Sequence, residues 1–310
     1  MKILVLGGGG FIGSSVVQAL SHKGHQVAVF ENPRVVPSAY VTGLPGVSWV
    51  QGNFLDKQDI HAALEGVDSV IHLVSTTLPK TSNDDPVFDI ESNLIGTLNL
   101  LQMMKEQGVP SIVFSSSGGT VYGIPEHIPV AETHATNPIV SYGIVKLAIE
   151  KYLHLYKTLY GIKPVILRVS NPYGPRQNSG TAQGVIRAII DNKLNNKPVE
   201  IWGDGSVVRD YLYISDAGSA FERAVAYTGD ESIFNVSSGQ GVSLNELLTI
   251  VGDVMGSPVE CRYMQGRAYD VPVSVLDRTK AESVLGWKPV VPLREGIEKT
   301  IAWIMENGKV

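Results

Sequence analysis

The chain has 310 residues, of which 44% are hydrophobic and 18% charged, a composition typical of one large or two medium globular domains. A net charge of −5 gives no basic field for a phosphate backbone, which disfavours nucleic acid as the main partner. The single cysteine, Cys261, excludes an internal disulfide or a cysteine metal cluster and predicts a reducing, cytoplasmic setting.

The chain opens with a short apolar run at residues 3–6. We interpret this run as a buried strand, because four consecutive glycines end it and no small-residue cleavage pattern follows. No stretch of the sequence approaches the ~20 apolar residues that a membrane span requires. The sequence therefore predicts neither a signal peptide nor a membrane partner.

Apolar runs and amphipathic stretches alternate through the first half of the chain. The runs predict strands at residues 26–30, 47–51, 69–73, 111–115 and 164–169, and the stretches predict helices at residues 12–23, 56–64, 90–107 and 141–160. The strands lack polar alternation, as expected when helices cover both faces of a sheet. This order predicts an α/β fold built on a doubly wound parallel sheet.

The pattern becomes less regular after Asn171. Proline and glycine at residues 172–175 indicate a turn, and a helix at 182–192, a strand at 199–202 and helices at 281–285 and 293–306 follow. We predict a first domain at residues 1–170 and a smaller, irregular region at residues 171–310. Part of residues 205–240 is expected to pack back on the first domain.

Three glycines, Gly7, Gly10 and Gly13, follow the first predicted strand and open the first helix. Without side chains, the backbone can turn tightly and let a pyrophosphate approach the free amides and the positive dipole end of the helix. A strand, a glycine turn and a helix in this order indicate a Rossmann-type dinucleotide site.

The second strand ends at Phe30-Glu31-Asn32, at the distance beyond the glycines where a ribose-binding carboxylate is expected. Glu31 can accept hydrogen bonds from both ribose hydroxyls, and its charge repels a 2′-phosphate, which favours NAD over NADP. Arg34 favours the opposite choice, because a guanidinium binds a phosphate. We predict NAD as the cofactor.

Tyr142 and Lys146 lie four residues apart in a predicted helix, so their side chains share one face. Of the 12 tyrosines, only Tyr142 has a lysine four residues later. The ammonium, together with a positive nicotinamide ring, is expected to lower the phenol pKa from its usual value of about 10. The pair therefore predicts a base suited to hydride chemistry.

These motifs resemble those of the extended short-chain dehydrogenase/reductase family, and within it the nucleotide-sugar 4-epimerases of the UDP-galactose/UDP-glucose type. The matching landmarks run nearly from end to end: the glycine turn, residues 93–101, residues 114–123, Tyr142 with Lys146, and residues 168–176, 209–211, 267–272 and 285–289. The resemblance implies an NAD-binding Rossmann domain at residues 1–170 and a substrate-binding region at residues 171–310.

In such epimerases a serine or threonine just before a Val-Tyr-Gly segment helps the catalytic tyrosine to hold the sugar O4. Counting back from the segment at residues 121–123 places this hydroxyl on Gly118, whereas counting forward from Phe114 places it on Ser117. The resemblance therefore implies Ser117 as the third catalytic residue, with Ser116 and Thr120 as alternatives.

The same segment bears on the type of reaction. The related 4,6-dehydratases carry an Asp-Glu acid/base pair here, whereas this chain has Gly118-Gly119-Thr120. Without a carboxylate, dehydration lacks its acid and base, and epimerisation or simple redox chemistry is left.

The resemblance also implies the binding residues. For the cofactor they are Gly7, Gly10, Phe11, Ile12, Gly13, Glu31, Asn32, Asn53, Phe54, Leu73, Val74, Asn93, Ser115, Tyr142 and Lys146; for the substrate they are Ser117, Asn171, Trp202, Arg209, Arg267, Asp270 and Ser274. Forked guanidinium donors suit a sugar diphosphate. The small Ser274 stands where epimerases restricted to plain hexoses carry a tyrosine, which leaves room for a 2-acetamido group.

The predicted function is the interconversion of UDP-Glc and UDP-Gal, extended by Ser274 to UDP-GlcNAc and UDP-GalNAc, through a 4-keto intermediate. The alternatives are a net nucleotide-sugar dehydrogenase or reductase, a UDP-glucuronate epimerase, and a regulatory protein that senses NAD without chemistry. The seven histidines show no recognised metal-site spacing, so no metal is predicted. The resemblance further implies a homodimer formed by the helices at residues 90–107 and 141–160.

Overall fold

The computed structural model describes residues 1–178, 184–266 and 271–308. Its strands are β1 Lys2–Leu6, β2 Gln26–Glu31, β3 Val47–Gln51, β4 Ser69–His72, β5 Ser111–Ser117, β6 Lys163–Val169, β7 Asn171–Tyr173, β8 Val199–Trp202, β9 Val208–Tyr213, β10 Ile233–Val236, β11 Gly241–Ser243, β12 Cys261–Met264 and β13 Val273–Ser274. The α-helices are α1 Phe11–His22, α2 Ala39–Thr42, α3 Lys57–Ala63, α4 Pro86–Asp89, α5 Gly96–Gln107, α6 Ser141–Tyr160, α7 Val185–Leu194, α8 Ile214–Ala226, α9 Leu244–Val254, α10 Thr279–Ser283 and α11 Leu293–Asn307, with a π-helix at Ile90–Ile95.

Seven parallel strands form the main sheet, in the order β10-β6-β5-β4-β1-β2-β3. The strand β1 lies at the centre, paired with β2 on one side and β4 on the other. Because the chain runs outward from β1 in one direction and then returns to continue in the other, the sheet is doubly wound. The predicted α/β fold is confirmed, and each strand predicted in the first half is present within one or two residues.

Successive side chains along each strand lie on opposite faces of the main sheet and pack into two separate cores. In β1, Ile3 and Val5 pack in the core that α1 and α8 cover, whereas Leu4 and Leu6 pack in the core that α3, α5 and α6 cover. All four side chains are fully buried. Burial of an aliphatic side chain of this size stabilises a fold by roughly 1.5–3 kcal/mol, so a polar residue on either face would be costly.

The stretch predicted as a single helix at residues 90–107 is divided into two kinds of helix. A π-helix at Ile90–Ile95 precedes α5. The side-chain amide of Asn93 donates to the carbonyl oxygen of Asp89 at 3.1 Å, and that carbonyl is the one to which the backbone amide of Asn93 would donate in an α-helix. A side chain thus competes with the backbone, and π-helical turns of this kind occur frequently at functional sites.

The second half of the chain contributes to the main sheet as well as to its own smaller sheets. Strand β10 pairs with β6 at the sheet edge, and the hydroxyl of Ser15 in α1 donates to the carbonyl oxygen of Ile214 at the start of α8. A methyl group at Gly218 would lie 2.7 Å from the carbonyl oxygen of Ser15, so α1 and α8 touch backbone to backbone. The division at residue 170 stays a prediction.

The remaining strands build two smaller sheets. Strand β9 pairs with β7, β11 and β13, and β8 pairs with β12. The described part of the helix predicted at 182–192 lies in α7, while residues 182–183 fall outside the described ranges. None of the helices described in these ranges is long and apolar enough to cross a membrane.

Candidate active site

The glycine turn joins the carboxyl end of β1 to α1. Gly7 has φ +83°, and a methyl group on Gly13 would lie 2.1 Å from the carbonyl oxygen of Gly7, so neither position accommodates a side chain without rearrangement. Gly10 is the N-cap residue and has no side chain to accept the amides of Phe11 and Ile12. The turn therefore offers these amides to an anion, as a dinucleotide pyrophosphate requires.

The carboxylate of Glu31 lies directly beside this turn. The backbone amide of Gly9 donates to its Oε1 at 2.8 Å. Burial raises the pKa of Glu31, and the amides of the glycine turn oppose this shift. Asn32 and Arg34 are exposed, and the Asn32 side chain accepts a bond from the Arg34 backbone amide. The carboxylate thus stands at the position predicted for a ribose contact.

The other predicted cofactor residues follow the ends of β3 and β4. Asn53 forms a turn in which its side-chain oxygen accepts from the amide of Leu55, and the Phe54 ring lies 5.1 Å from the His72 ring. The half-buried Leu73 and Val74 follow β4, and the Val74 amide would contact a methyl group on Gly7 at 3.3 Å. These residues meet at the carboxyl edge between β1 and β4, where the strand order reverses and ligands bind in open α/β sheets.

Asn93 is buried and joins the π-helix to the loop after β4. Its side-chain amide donates to the hydroxyl of Thr76 at 2.9 Å, and its side-chain oxygen accepts from the Thr76 backbone amide at the same distance. This predicted cofactor residue therefore determines the path of the loop beside the cofactor edge.

Tyr142 and Lys146 lie on one face of α6, and that face packs on the carboxyl end of β5. The Lys146 ammonium donates to the carbonyl oxygen of Ser115 at 2.9 Å and lies 5.5 Å from the centroid of the Tyr142 ring. Burial lowers the pKa of Lys146 to about 8, while the charges of Asp89 and Glu150 act in the opposite direction. The pair predicted from its spacing is brought to the same edge of the sheet as the glycine turn.

The pKa of Tyr142 departs from the direction that its spacing from Lys146 predicted. Burial is the main cause that raises this pKa to about 12; the negative charge of Asp89 acts in the same direction, and a hydrogen bond with Ser75 opposes both. The protein's own groups therefore keep the phenol protonated at neutral pH. A lowering of the Tyr142 pKa depends on the positive nicotinamide ring.

The structure separates the three hydroxyls that the sequence left as alternatives. The Ser116 hydroxyl donates to Glu150 Oε1 at 2.5 Å and is held away from the edge. In contrast, the hydroxyl of Ser117 and the buried Oγ1 of Thr120 make no hydrogen bond within residues 1–178, 184–266 and 271–308. Ser117 is half-buried at the last position of β5. This geometry favours Ser117 as the hydroxyl that assists Tyr142 in holding the sugar O4, and Thr120 is the next candidate.

Three predicted substrate residues lie on neighbouring strands of one small sheet. Asn171 of β7 pairs with Tyr211 of β9, and Ser274 of β13 pairs with Arg209 of β9. The Asn171 amide donates to the carbonyl oxygen of Asp210 at 2.9 Å, and Ser274 is buried.

The remaining predicted substrate residues are not part of that group. Trp202 lies on β8, in a different sheet, with 40% of its surface exposed. Arg267 and Asp270 lie outside the described residues.

Four residues around the Tyr-Lys pair were not predicted from the sequence. They are Ser75, Asp89, Glu150 and Arg168. Glu150 follows Lys146 by the same four residues that separate Lys146 from Tyr142, so its place on this helix face could have been predicted from the sequence. The contacts of the other three depend on loops and strands far away in the chain.

A dinucleotide turn at the switch point of a doubly wound sheet, with a Tyr-Lys helix packed beside it, defines an extended short-chain dehydrogenase/reductase. The chain belongs to the NAD dependent epimerase/dehydratase family, whose model matches residues 3–237. The resemblance and the NAD cofactor predicted from the sequence are thereby confirmed.

Individual relatives match over nearly the whole chain. It is 38% identical to a putative UDP-glucose 4-epimerase of Methanocaldococcus jannaschii, over 99% of each chain. Among solved structures it is similar to the UDP-glucose 4-epimerase of Thermotoga maritima with UDP-glucose, at 35% identity and a TM-score of 0.93 over 99% of each chain. It is also similar to the UDP-glucose 4-epimerase of Thermus thermophilus in complex with NAD, at 36% identity and a TM-score of 0.89 over 98% of this chain and 99% of that one.

Proposed function

We propose that the protein is a UDP-hexose 4-epimerase that interconverts UDP-Glc and UDP-Gal. The observation that carries the proposal is the placement of Tyr142 and Lys146 beside the glycine turn, at the carboxyl edge of the sheet. The segment between Ser117 and Val121 supplies no carboxylate, which disfavours dehydration. The similarity to UDP-glucose 4-epimerases over the full chain supports the same reaction.

In the proposed reaction, Tyr142 as phenolate accepts the O4 proton of the sugar and later returns it. NAD, when bound, would supply a reversible hydride acceptor for C4 of the sugar, and return of the hydride to the opposite face of C4 would invert that carbon with no net oxidation. Lys146 supplies a positive charge beside Tyr142 that, together with the positive nicotinamide ring, would favour the phenolate, and Ser117 holds O4 by a hydrogen bond. Asn171 and Arg209 hold the diphosphate while the 4-keto sugar turns, with Arg267 assigned the same role from the sequence.

The substrate range follows from the side chain next to Arg209. Ser274 pairs with Arg209 and is small, so a 2-acetamido group meets no tyrosine ring there. We therefore propose that UDP-GlcNAc and UDP-GalNAc are also substrates.

Proton NMR of the anomeric region tests both proposals. Purified protein is incubated with UDP-Glc and, separately, with UDP-GlcNAc, without added cofactor. We expect the corresponding galacto sugar to appear in each sample, because NAD is regenerated in every cycle and stays bound. Turnover of UDP-Glc alone would contradict the proposal on Ser274. Conversion only with stoichiometric added NAD or NADP would replace the epimerase by a net dehydrogenase or reductase.

We propose further that the protein is a homodimer. Helix α6 exposes one apolar stripe at Ile144, Tyr152, Leu155 and Leu159, and the other predicted interface helix, at residues 90–107, exposes Ile90 and Ile95 in its first turns. Positions spaced by three, four and eight residues lie on one helix face, and a stripe of this kind is typical of a covered interface. A second copy presenting the same stripe would complete a four-helix contact.

Leu155→Glu is expected to weaken this dimer by about 100-fold or more, because the carboxylate would be buried against an apolar partner helix. Sedimentation velocity at micromolar protein concentration measures the change. Met305→Glu, on the exposed face of α11, is the matched control and should leave the dimer intact. A Leu155→Glu variant that sediments as the wild type does would place the interface elsewhere.

A cytoplasmic location is also proposed. The lone Cys261 forms no disulfide within this chain, in keeping with a reducing compartment.

A further inference from the structure

Asp89 ends helix α4 and is fully buried. Three uncharged groups donate to its carboxylate: the Thr77 hydroxyl at 2.6 Å, the Asn93 amide at 2.9 Å and the Ser141 hydroxyl at 2.7 Å. These donors belong to the loop after β4, the π-helix and the first residue of α6. One carboxylate therefore connects the three segments that surround the Tyr-Lys pair.

The start of α6 depends on this neighbourhood for its capping. The N-cap residue, Val140, has an apolar side chain that cannot accept the first amides of the helix. Instead, the Asn83 side chain accepts from the Ser141 amide at 2.9 Å, and the Ser82 hydroxyl accepts from the Tyr142 amide at 3.1 Å. The loop after β4 thus caps the helix that carries Tyr142, and Asp89 ties both together.

Asp89 also carries charge toward the reacting groups. The charges that act on Lys146 are Asp89 from α4 and Glu150 from its own helix, and Asp89 acts on Tyr142 as well. His72 of β4 lies close to Lys146, but burial lowers its pKa to about 3 and keeps it neutral. Glu150 shares its charge with Arg168 in a buried ion pair, whereas Asp89 is held by uncharged donors.

We propose that Asp89 is a positioning residue of the active site, whose carboxylate fixes the first turn of α6 through Ser141 and supplies the negative charge that faces Tyr142 and Lys146. The assignment of Tyr142 and Lys146 to the chemistry rests on the proposed function. The charge of Asp89 does not, so its effect on Lys146 can be tested without turnover.

The direct test follows the ionisation of Lys146 by NMR of protein labelled at the lysine Cε, with Lys146→Met to assign the resonance. In the wild type the midpoint is expected near pH 8, because the pKa of Lys146 is lowered to about 8. Asp89→Asn keeps the side-chain shape and removes the charge that raises this pKa, so the midpoint should fall by about 1 pH unit. An unchanged midpoint would overturn the electrostatic part of the proposal, whether or not the protein is an epimerase.

Ser141→Ala is the complementary variant, since it removes one bond to Asp89 and keeps the charge. We expect its Lys146 midpoint to match the wild type and its kcat for UDP-Glc to fall about 10-fold, because the first turn of α6 loses a tie. In the pH profile of kcat, Asp89→Asn should move both limbs to lower pH and Ser141→Ala neither. A Ser141→Ala variant with wild-type kcat would overturn the positioning part, even if Asp89→Asn failed to fold.

Discussion

Replacing Tyr142 with phenylalanine is expected to lower kcat for UDP-Glc epimerisation by about 10²–10⁴-fold, the usual contribution of a positioned acid or base. The variant loses the hydroxyl that is assigned to take the O4 proton and return it. Fold stability should change little, because the ring is retained and the substitution removes the hydroxyl with its hydrogen bond to Ser75. Single-turnover and steady-state assays by anomeric NMR measure the effect.

Tyr156→Phe provides the matched control, because Tyr156 lies on the same helix and packs against the Tyr160 ring. It should retain full activity. Absorbance of the denatured supernatant checks that the Tyr142→Phe protein still carries NAD, which separates lost chemistry from lost cofactor. Near-normal turnover by Tyr142→Phe with NAD bound would rule out the phenolate mechanism.

The sequence was sufficient to predict the parts of the site that are determined by residues close together along the chain. Apolar runs separated by turns determine the parallel sheet, and the glycine turn necessarily follows β1 because the strand and helix on either side are contiguous with it. The spacing of Tyr142 and Lys146 sets a shared helix face wherever that helix packs. Such features need no knowledge of distant segments.

The remaining features of the site depend on tertiary contacts and could not be predicted from the sequence. Ser116 was an alternative to Ser117 for the hydroxyl that helps to hold the sugar O4, and its bond to Glu150, 34 residues away in sequence, now disfavours it. The raised pKa of Tyr142 likewise comes from burial and from Asp89, and neither is visible in the Tyr-x-x-x-Lys spacing. Sequence spacing gives the residues that share an element, whereas charge and desolvation depend on what packs against that element.

The ion pair of Glu150 with Arg168 joins helix α6, which carries Tyr142, to strand β6. Breaking this pair is expected to cost about 3–5 kcal/mol of unfolding free energy. Arg168 donates to Glu150 at 2.6 Å and 3.1 Å, and both side chains are almost completely buried. Arg168→Met would leave the carboxylate with the Ser116 hydroxyl as its remaining side-chain donor, too little to offset its desolvation. Urea denaturation followed by fluorescence measures the loss.

The double variant Arg168→Met with Glu150→Gln distinguishes the contribution of the ion pair from the contributions of the two side chains taken singly. Because it removes both charges, we expect it to recover much of the stability that each single variant loses, which gives a coupling free energy opposite in sign to the single losses. Arg294→Met, which removes exposed ion pairs with Asp253 and Glu298, should change stability little. Additive losses in the double variant would mean that each side chain acts through its own packing. Recovery would show that an unpaired buried charge is what destabilises the helix carrying Tyr142.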